Sequence, residues 1–178
     1  MESTYDDYDL EDYYDAIARA LERIPNSSAV IKLRPGSARE SFYRSMVDTI
    51  FARVPHTTVQ YEPFPELFAS ADMVVSDYST VVLEALQFNK PTIVFNAESG
   101  GKKAARFHFA QYAEAGGLII ADTPAELEIA FRSIADDIGL RARLAEGAER
   151  VLARFFLFDG KASERIIGLI ERLSRKQK

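Results

Sequence analysis

The chain has no cysteine among its 178 residues. That excludes a disulfide scaffold, a cysteine-based zinc site and a thiol nucleophile, and it fits a reducing compartment. No apolar run approaches the roughly 20 residues that a membrane span needs. The first residues do not read as a secretory signal, so a soluble, cytosolic chain is the default expectation. Histidine is scarce, with only His56 and His108. No Asp/Glu/His cluster has metal-ligand spacing, so neither a metal nor a cofactor is expected. There is no internal repeat and no low-complexity linker.

What is present is an ordinary globular composition. Apolar residues make up 47% of the chain, enough for a sizeable core, and the length fits one domain. The net charge of −5 is unevenly spread. Residues 2–15 hold seven acidic side chains and no lysine or arginine, whereas residues 161–178 hold six basic side chains against two acidic ones. The simplest reading is two solvated helix faces. A sharper one gives the basic tail to an anionic lipid surface or a partner, hence possible peripheral membrane association. Neither end calls for nucleic acid.

Strand-like and helix-like stretches alternate. Leu10, Tyr14, Ile17, Leu21 and Ile24 recur at helical spacing up to Pro25. Short apolar strands are expected at 29–33, 57–61, 73–76, 91–95 and 118–121. Helices are expected over about 37–53, with a Ser37/Glu40 capping box, and at 65–70, 79–88, 124–137 and 139–155, with a last one from near Asp159. Thr123-Pro124-Ala125-Glu126 combines an N-cap, a first-turn proline and a capping-box glutamate. The segment 96–117 reads as looser, with its Gly100-Gly101 and Gly116-Gly117 pairs. The pattern is an α/β, three-layer Rossmann-like domain with a parallel sheet of about five strands, apolar because both faces are covered. A doubly wound sheet normally begins with a central strand. Here the chain begins with an acidic stretch and a helix, so the first strand of the usual topology is missing from the pattern.

The stretch "MVVSDYSTVVLEAL" (73–86) places Asp77, Tyr78, Ser79 and Thr80 between a strand and a helix. In an open parallel sheet, ligands bind outside the carboxyl ends of the strands. A helix start offers unpaired N–H groups and partial positive charge, which suit phosphate, and Ser79 and Thr80 add hydroxyls. Glu84 follows Thr80 by four residues, about 5–6 Å away on one helix face. Phosphate on the turn and ribose on the glutamate is the nucleotide reading. Asp77 or Ser79 merely capping the helix is the other, and local sequence leaves both open. "LRPGS" (33–37) repeats the arrangement, with Arg34 as a planar phosphate clamp or, alternatively, part of a plain Pro-Gly turn.

The stretch 71–95, "ADMVVSDYSTVVLEALQFNKPTIVF", resembles the nucleotide-binding half of two-domain glycosyltransferases of the B fold. Within that group the chain most resembles the CDP-glycerol glycerophosphotransferases, the teichoic-acid polymerase family. "KLRP" (32–35) falls at the family's Lys-x-His-Pro-type turn, "SDYST" (76–80) at its Asp-Tyr-Ser-Ser turn, "NKPTIVF" (89–95) at its next strand and "DGKASER" (159–165) at its closing helix start.

The resemblance implies that residues 1–178 form the single donor-side, nucleotide-binding domain of a two-domain transferase. Such an enzyme moves glycerol phosphate, or a related alditol phosphate, from a CDP-linked donor to a cell-wall or capsule polymer. The polymer acceptor would be held by a missing N-terminal domain, in the cytoplasm or at the inner face of the membrane. It implies phosphate contacts from Ser79, Thr80, Lys161 and Ser163, with Arg34 beside them, and ribose on Glu84. Asp77 and Tyr78 support the turn, and Lys102 and His108 are further loop contacts. Arg34 stands where the family has histidine and cannot act as a general base at neutral pH, so the catalytic residue is unknown. With one domain the chain is expected to catalyse nothing measurable. Two alternatives stay open: the nucleotide half of a UDP-sugar glycosyltransferase or epimerase, and a non-catalytic binding or assembly module.

Overall fold

The computed structural model describes residues 7–32, 40–60, 64–96, 102–157 and 159–175. In chain order these form α1 (Asp7–Glu22), β1 (Val30–Lys32), α2 (Glu40–Ile50) with a 3-10 turn at Phe51–Arg53, β2 (Thr58–Gln60), α3 (Phe64–Ser70) and β3 (Val74–Ser76). There follow α4 (Val81–Gln87), β4 (Thr92–Phe95), α5 (Lys102–Glu114), β5 (Ile119–Ala121), α6 (Pro124–Asp136), α7 (Ile138–Phe155) and α8 (Ala162–Arg175). The fold is α/β, and every strand pairing among the described residues is parallel.

The five strands form two sheets. One pairs β1 with β2, and the other has the order β3–β4–β5. The second sheet has the cover expected of a parallel sheet. All four residues of β4 are at most 1% exposed. Side chains alternate across a strand, and β4 shows it: Ile93 and Phe95 enter a core with α1, α2 and α6, while Val94 enters another with α4, α5 and α7. Tyr13 of α1 stacks on Phe95 at 5.3 Å between ring centroids.

The first sheet departs from the expectation of buried strands. Val30 is 49% exposed, and Ile31 and Lys32 are half-buried. The physical reason is pairing. β1 and β3 each have a partner on one side only among the described residues, so neither is enclosed as β4 is.

Helix starts follow their local chemistry. The Thr123 hydroxyl accepts the Glu126 N–H at 3.2 Å, and the Glu126 carboxylate accepts the Asp122 N–H at 2.7 Å. With Pro124 in the first turn, this fixes the entry to α6. Asp137 caps α7 by accepting the Leu140 N–H at 2.9 Å. Helix α7 crosses the turn before β5 so closely that a Cβ on Gly147 would lie 1.9 Å from the Gly116 carbonyl oxygen. Only glycine fits there.

Two expectations need correction. The 96–117 segment is not loose throughout, because α5 occupies 13 residues of it, and Phe109 and Tyr112 pack into the second core. The glycine pairs flank that helix rather than interrupt it. The helix expected over 79–88 is shorter, at 81–87. The Ser37 half of the expected capping box on α2 lies outside the described residues.

Candidate functional site

The site lies at the carboxyl end of β3. Ser76 is the last strand residue and is buried, Asp77 and Ser79 are half-buried, and Tyr78 and Thr80 are exposed. The Ser79 N–H bonds the Asp77 carbonyl at 2.9 Å, and the Ser79 hydroxyl accepts the Val81 N–H at 3.3 Å. This small turn aims the chain into α4 and satisfies one of its orphan donors. Thr80 precedes the helix in αR geometry and makes no side-chain cap. Ser79 therefore does part of the capping work. Among the described residues, neither the Ser79 O–H nor the Thr80 hydroxyl donates to another group.

Glu84 is exposed, one turn along α4 from Thr80. Beside the turn, Tyr78 lies over the His108 ring of α5 at 4.9 Å and meets Phe109 edge-on at 6.0 Å. His108 is thus brought to the turn by ring packing from a helix, not from a loop. Lys102 is the first residue of the same helix, and its side chain lies outside the described part of the structure. Arg34 lies outside the described residues altogether. His56 is exposed before β2, with φ of +57°.

Lys161 and Ser163 sit exposed at the start of α8. That start is organised by Asp159, whose carboxylate accepts the Lys161 N–H at 3.0 Å and both Asp159 oxygens accept from the Arg165 guanidinium at 2.7 and 2.8 Å. The Arg165 hydrogen bonds, then the Lys161 amide, hold the Asp159 carboxyl below its usual range. Among the described residues, no hydrogen bond or ion pair joins Lys161 or Ser163 to the 77–80 turn.

Two features were not anticipated from sequence. Asn96 and Asp122 follow β4 and β5 at the same carboxyl edge as Asp77, and the Asn96 amide donates to the Asp122 carboxylate at 2.9 Å. Both follow apolar strands, the signal that singled out Asp77. The other is Tyr14 of α1, whose phenol is pushed up to about 12 by burial, with Asp77 and Tyr43 adding to the shift. It is a neutral hydroxyl beside the turn. Burial likewise pushes the Asp77 carboxyl up, against a backbone hydrogen bond that favours its charge. A cleft of about 650 Å³ opens next to these groups, with Asp77 and Ser79 at one end and α1 along it. No group of three or more His, Cys, Asp or Glu suited to a metal occurs among the described residues, and no described helix is long and apolar enough to cross a membrane.

Comparison with known proteins agrees with this architecture. Residues 55–172, about two-thirds of the chain, match the family described as CDP-glycerol:poly(glycerophosphate) glycerophosphotransferase. A solved mutant of the O-GlcNAc transferase of Thermobaculum terrenum is similar over 93% of this chain, at 20% identity and a TM-score of 0.58. A variant of the wall teichoic acid polymerase TagF is similar over 94% of this chain, at 16% identity and a TM-score of 0.48. The chain spans about a third of the length of the first and about half of the second. The curated proteins contain no sequence match. The fold is of the glycosyltransferase-B type, and the chain belongs to the CDP-glycerol:poly(glycerophosphate) glycerophosphotransferase family.

Proposed function

We propose that residues 1–178 are the donor-binding domain of a transferase that moves glycerol phosphate, or a related alditol phosphate, from a CDP-linked donor to a polymer acceptor. The observation that carries the reading is the turn at 77–80. It opens α4 at the carboxyl edge of a parallel sheet, keeps Thr80 and Glu84 exposed one helical turn apart, and has a cleft beside it. The diphosphate is taken by the Ser79 and Thr80 hydroxyls at the positive end of α4, and the ribose by Glu84. Arg34, Lys161 and Ser163 supply further phosphate contacts, and the Tyr78–His108 pair offers a ring surface next to them. The acceptor and the catalytic base belong to a second domain. Orientation and water exclusion need both domains, so this domain alone binds donor without turning it over. The reaction runs in the cytoplasm, at the inner face of the membrane where the polymer grows.

Calorimetric titration of the chain with CDP, CMP and UDP tests this. The expected result is CDP bound at least about tenfold tighter than UDP, a difference near 1.4 kcal/mol. A preference for UDP points to the sugar-nucleotide alternative and contradicts the proposal. Glu84→Gln is expected to weaken CDP by about tenfold, as one charge-assisted hydrogen bond is lost.

A further inference from the structure

Lys32 is a half-buried cation that no acidic group neutralises. It closes β1 and lines the cleft together with Asp77 and Ser79. Its ammonium lies over the Phe64 ring, 4.7 Å from the centroid, and Phe64 stacks in turn on Phe68 at 5.4 Å. Among the described residues no carboxylate pairs with it. A lysine ordinarily keeps its head in water or beside an acid. Here an aromatic ring holds the ammonium in one place, and the charge itself is left for something else to use.

The topology brings Lys32 to the donor site. Helix α3 starts four residues after β2 and ends four before β3, so it runs back from the carboxyl end of β2 to the amino end of β3. β3 therefore points the same way as β1 and β2, and Lys32 stands at the same carboxyl edge as the 77–80 turn. It also stands on the same face. Ile31 packs into the core shared with α1 and α6, so its neighbour Lys32 points to the opposite face, where Val82 and Leu86 of α4 are packed. Distance decides what could join Lys32 to the turn. β1 and β3 are not paired with each other among the described residues, so their ends are at least two strand spacings apart, about 9–10 Å. A diphosphate on Ser79 and Thr80 is too short to fill that span. A nucleoside carried on the same diphosphate is long enough, and the space between is the largely apolar cleft.

We infer that Lys32 reads the base. Its ammonium donates to the N3 and O2 edge of a cytosine whose phosphates lie on the 77–80 turn, and this contact sets cytidine over uridine. The inference rests on the donor-binding proposal and adds the base specificity of that site. The chemistry is one-sided, because lysine has three donors and no acceptor. Cytosine presents two adjacent acceptors on that edge, N3 and O2. Uracil presents N3–H instead, which sets donor against donor. A site built to hydrogen-bond one substrate rejects the analogue that leaves its polar group unpaired, and does so more strongly than a poor apolar fit would. The Phe64 ring fixes the ammonium before the base arrives, so little side-chain freedom is lost on binding.

Calorimetric titration of the parent chain and of Lys32→Met with CDP, UDP, 3-deazacytidine diphosphate and inorganic diphosphate tests this. Methionine keeps an unbranched stem over Phe64 and removes the charge. The 3-deaza analogue carries C–H in place of N3, so it removes the acceptor from the ligand and leaves the protein untouched. The parent is expected to bind CDP at least about tenfold tighter than UDP or the analogue. Lys32→Met is expected to lose about tenfold for CDP and less than about twofold for UDP, the analogue and inorganic diphosphate, so that the preference for CDP vanishes. Equal losses for CDP, UDP and inorganic diphosphate overturn the inference, because they mark Lys32 as a general attraction for anions. A CDP-to-UDP ratio left unchanged by Lys32→Met overturns it as well. If Lys32→Met does not fold, the parent decides: equal affinity for CDP and the analogue overturns the inference. Failure of the parent to bind CDP overturns the donor-binding proposal itself, whereas CDP binding with any of the other contrary results overturns this inference alone.

Discussion

The three-stranded sheet and the two-stranded sheet are built from the same kind of sequence and end in different environments. "PTIVF" (91–95) and "AVIKL" (29–33) are both short, apolar and β-branched. Ile93 of the first is fully buried between two helical layers, while Val30 of the second is half exposed. The difference is not composition. Among the described residues, β4 has a strand on each side, and β1 has one. Burial of a strand is thus a property of its neighbours, and local apolarity states only what the strand is prepared to bury.

The comparison can be broken by substitutions, taken here from the largest effect down. Ile93→Ala is expected to cost about 2–5 kcal/mol, because the lost transfer energy is joined by a cavity in a core that cannot collapse. Urea unfolding followed by circular dichroism reads it, with an unchanged m value. Gly147→Ala is expected to cost about 1–3 kcal/mol, since its Cβ meets the Gly116 backbone and not a flexible side chain. Ile31→Ala, the same chemistry as the first but in half-buried β1, is expected to cost less than about 1.5 kcal/mol. If Ile31→Ala costs as much as Ile93→Ala, the two halves are equally enclosed in solution and the comparison fails.

Asp77, at the border of the two sheets, gives the smallest and most specific effect. Its folded carboxyl is raised, first by burial, so the folded chain holds this proton more tightly than the unfolded chain does. The sign follows: stability falls as pH rises from the unfolded value through the folded one, and the cost is fully present above it. Asp77→Asn is expected to be more stable than the parent at pH 7, and the gain is expected to vanish at pH values below the ordinary aspartate range. Thermal melts across that range check it. A variant that is less stable at pH 7 means the charge is satisfied by a partner in the folded state.

Much of this was legible in the sequence, for identifiable reasons. The order of strands and helices followed from short β-branched runs separated by caps and prolines, and Thr123 caps α6 as its spacing predicts, while Glu126 reaches back to the Asp122 N–H, one residue before the cap. The 77–80 turn was visible because four polar side chains interrupt an apolar pattern. Helix α5 was hidden because the glycine pairs around it dominate a composition window, although Phe109, Tyr112 and Ala113 carry its buried face. The exposure of β1 was hidden because no local pattern reports which strand stands alongside. In the sequence Tyr14 is one residue of a helical stripe, and its place near Asp77 depends on how α1 crosses the sheet. Helix α8 shows the same limit. Its stripe of Ile166, Ile167, Ile170 and Leu173 was plain in the sequence, yet these residues are 55–60% exposed in the folded chain.

The central claim is that the turn opening α4 receives the diphosphate of a cytidine nucleotide. The most direct measurement is an NMR titration of the isotopically labelled chain with CDP, with every amide resolved. The account predicts saturable shifts centred on Ser79, Thr80, Val81 and Val82, with Glu84 following them. Shifts confined to other regions, or none at these five residues at saturating CDP, would contradict it.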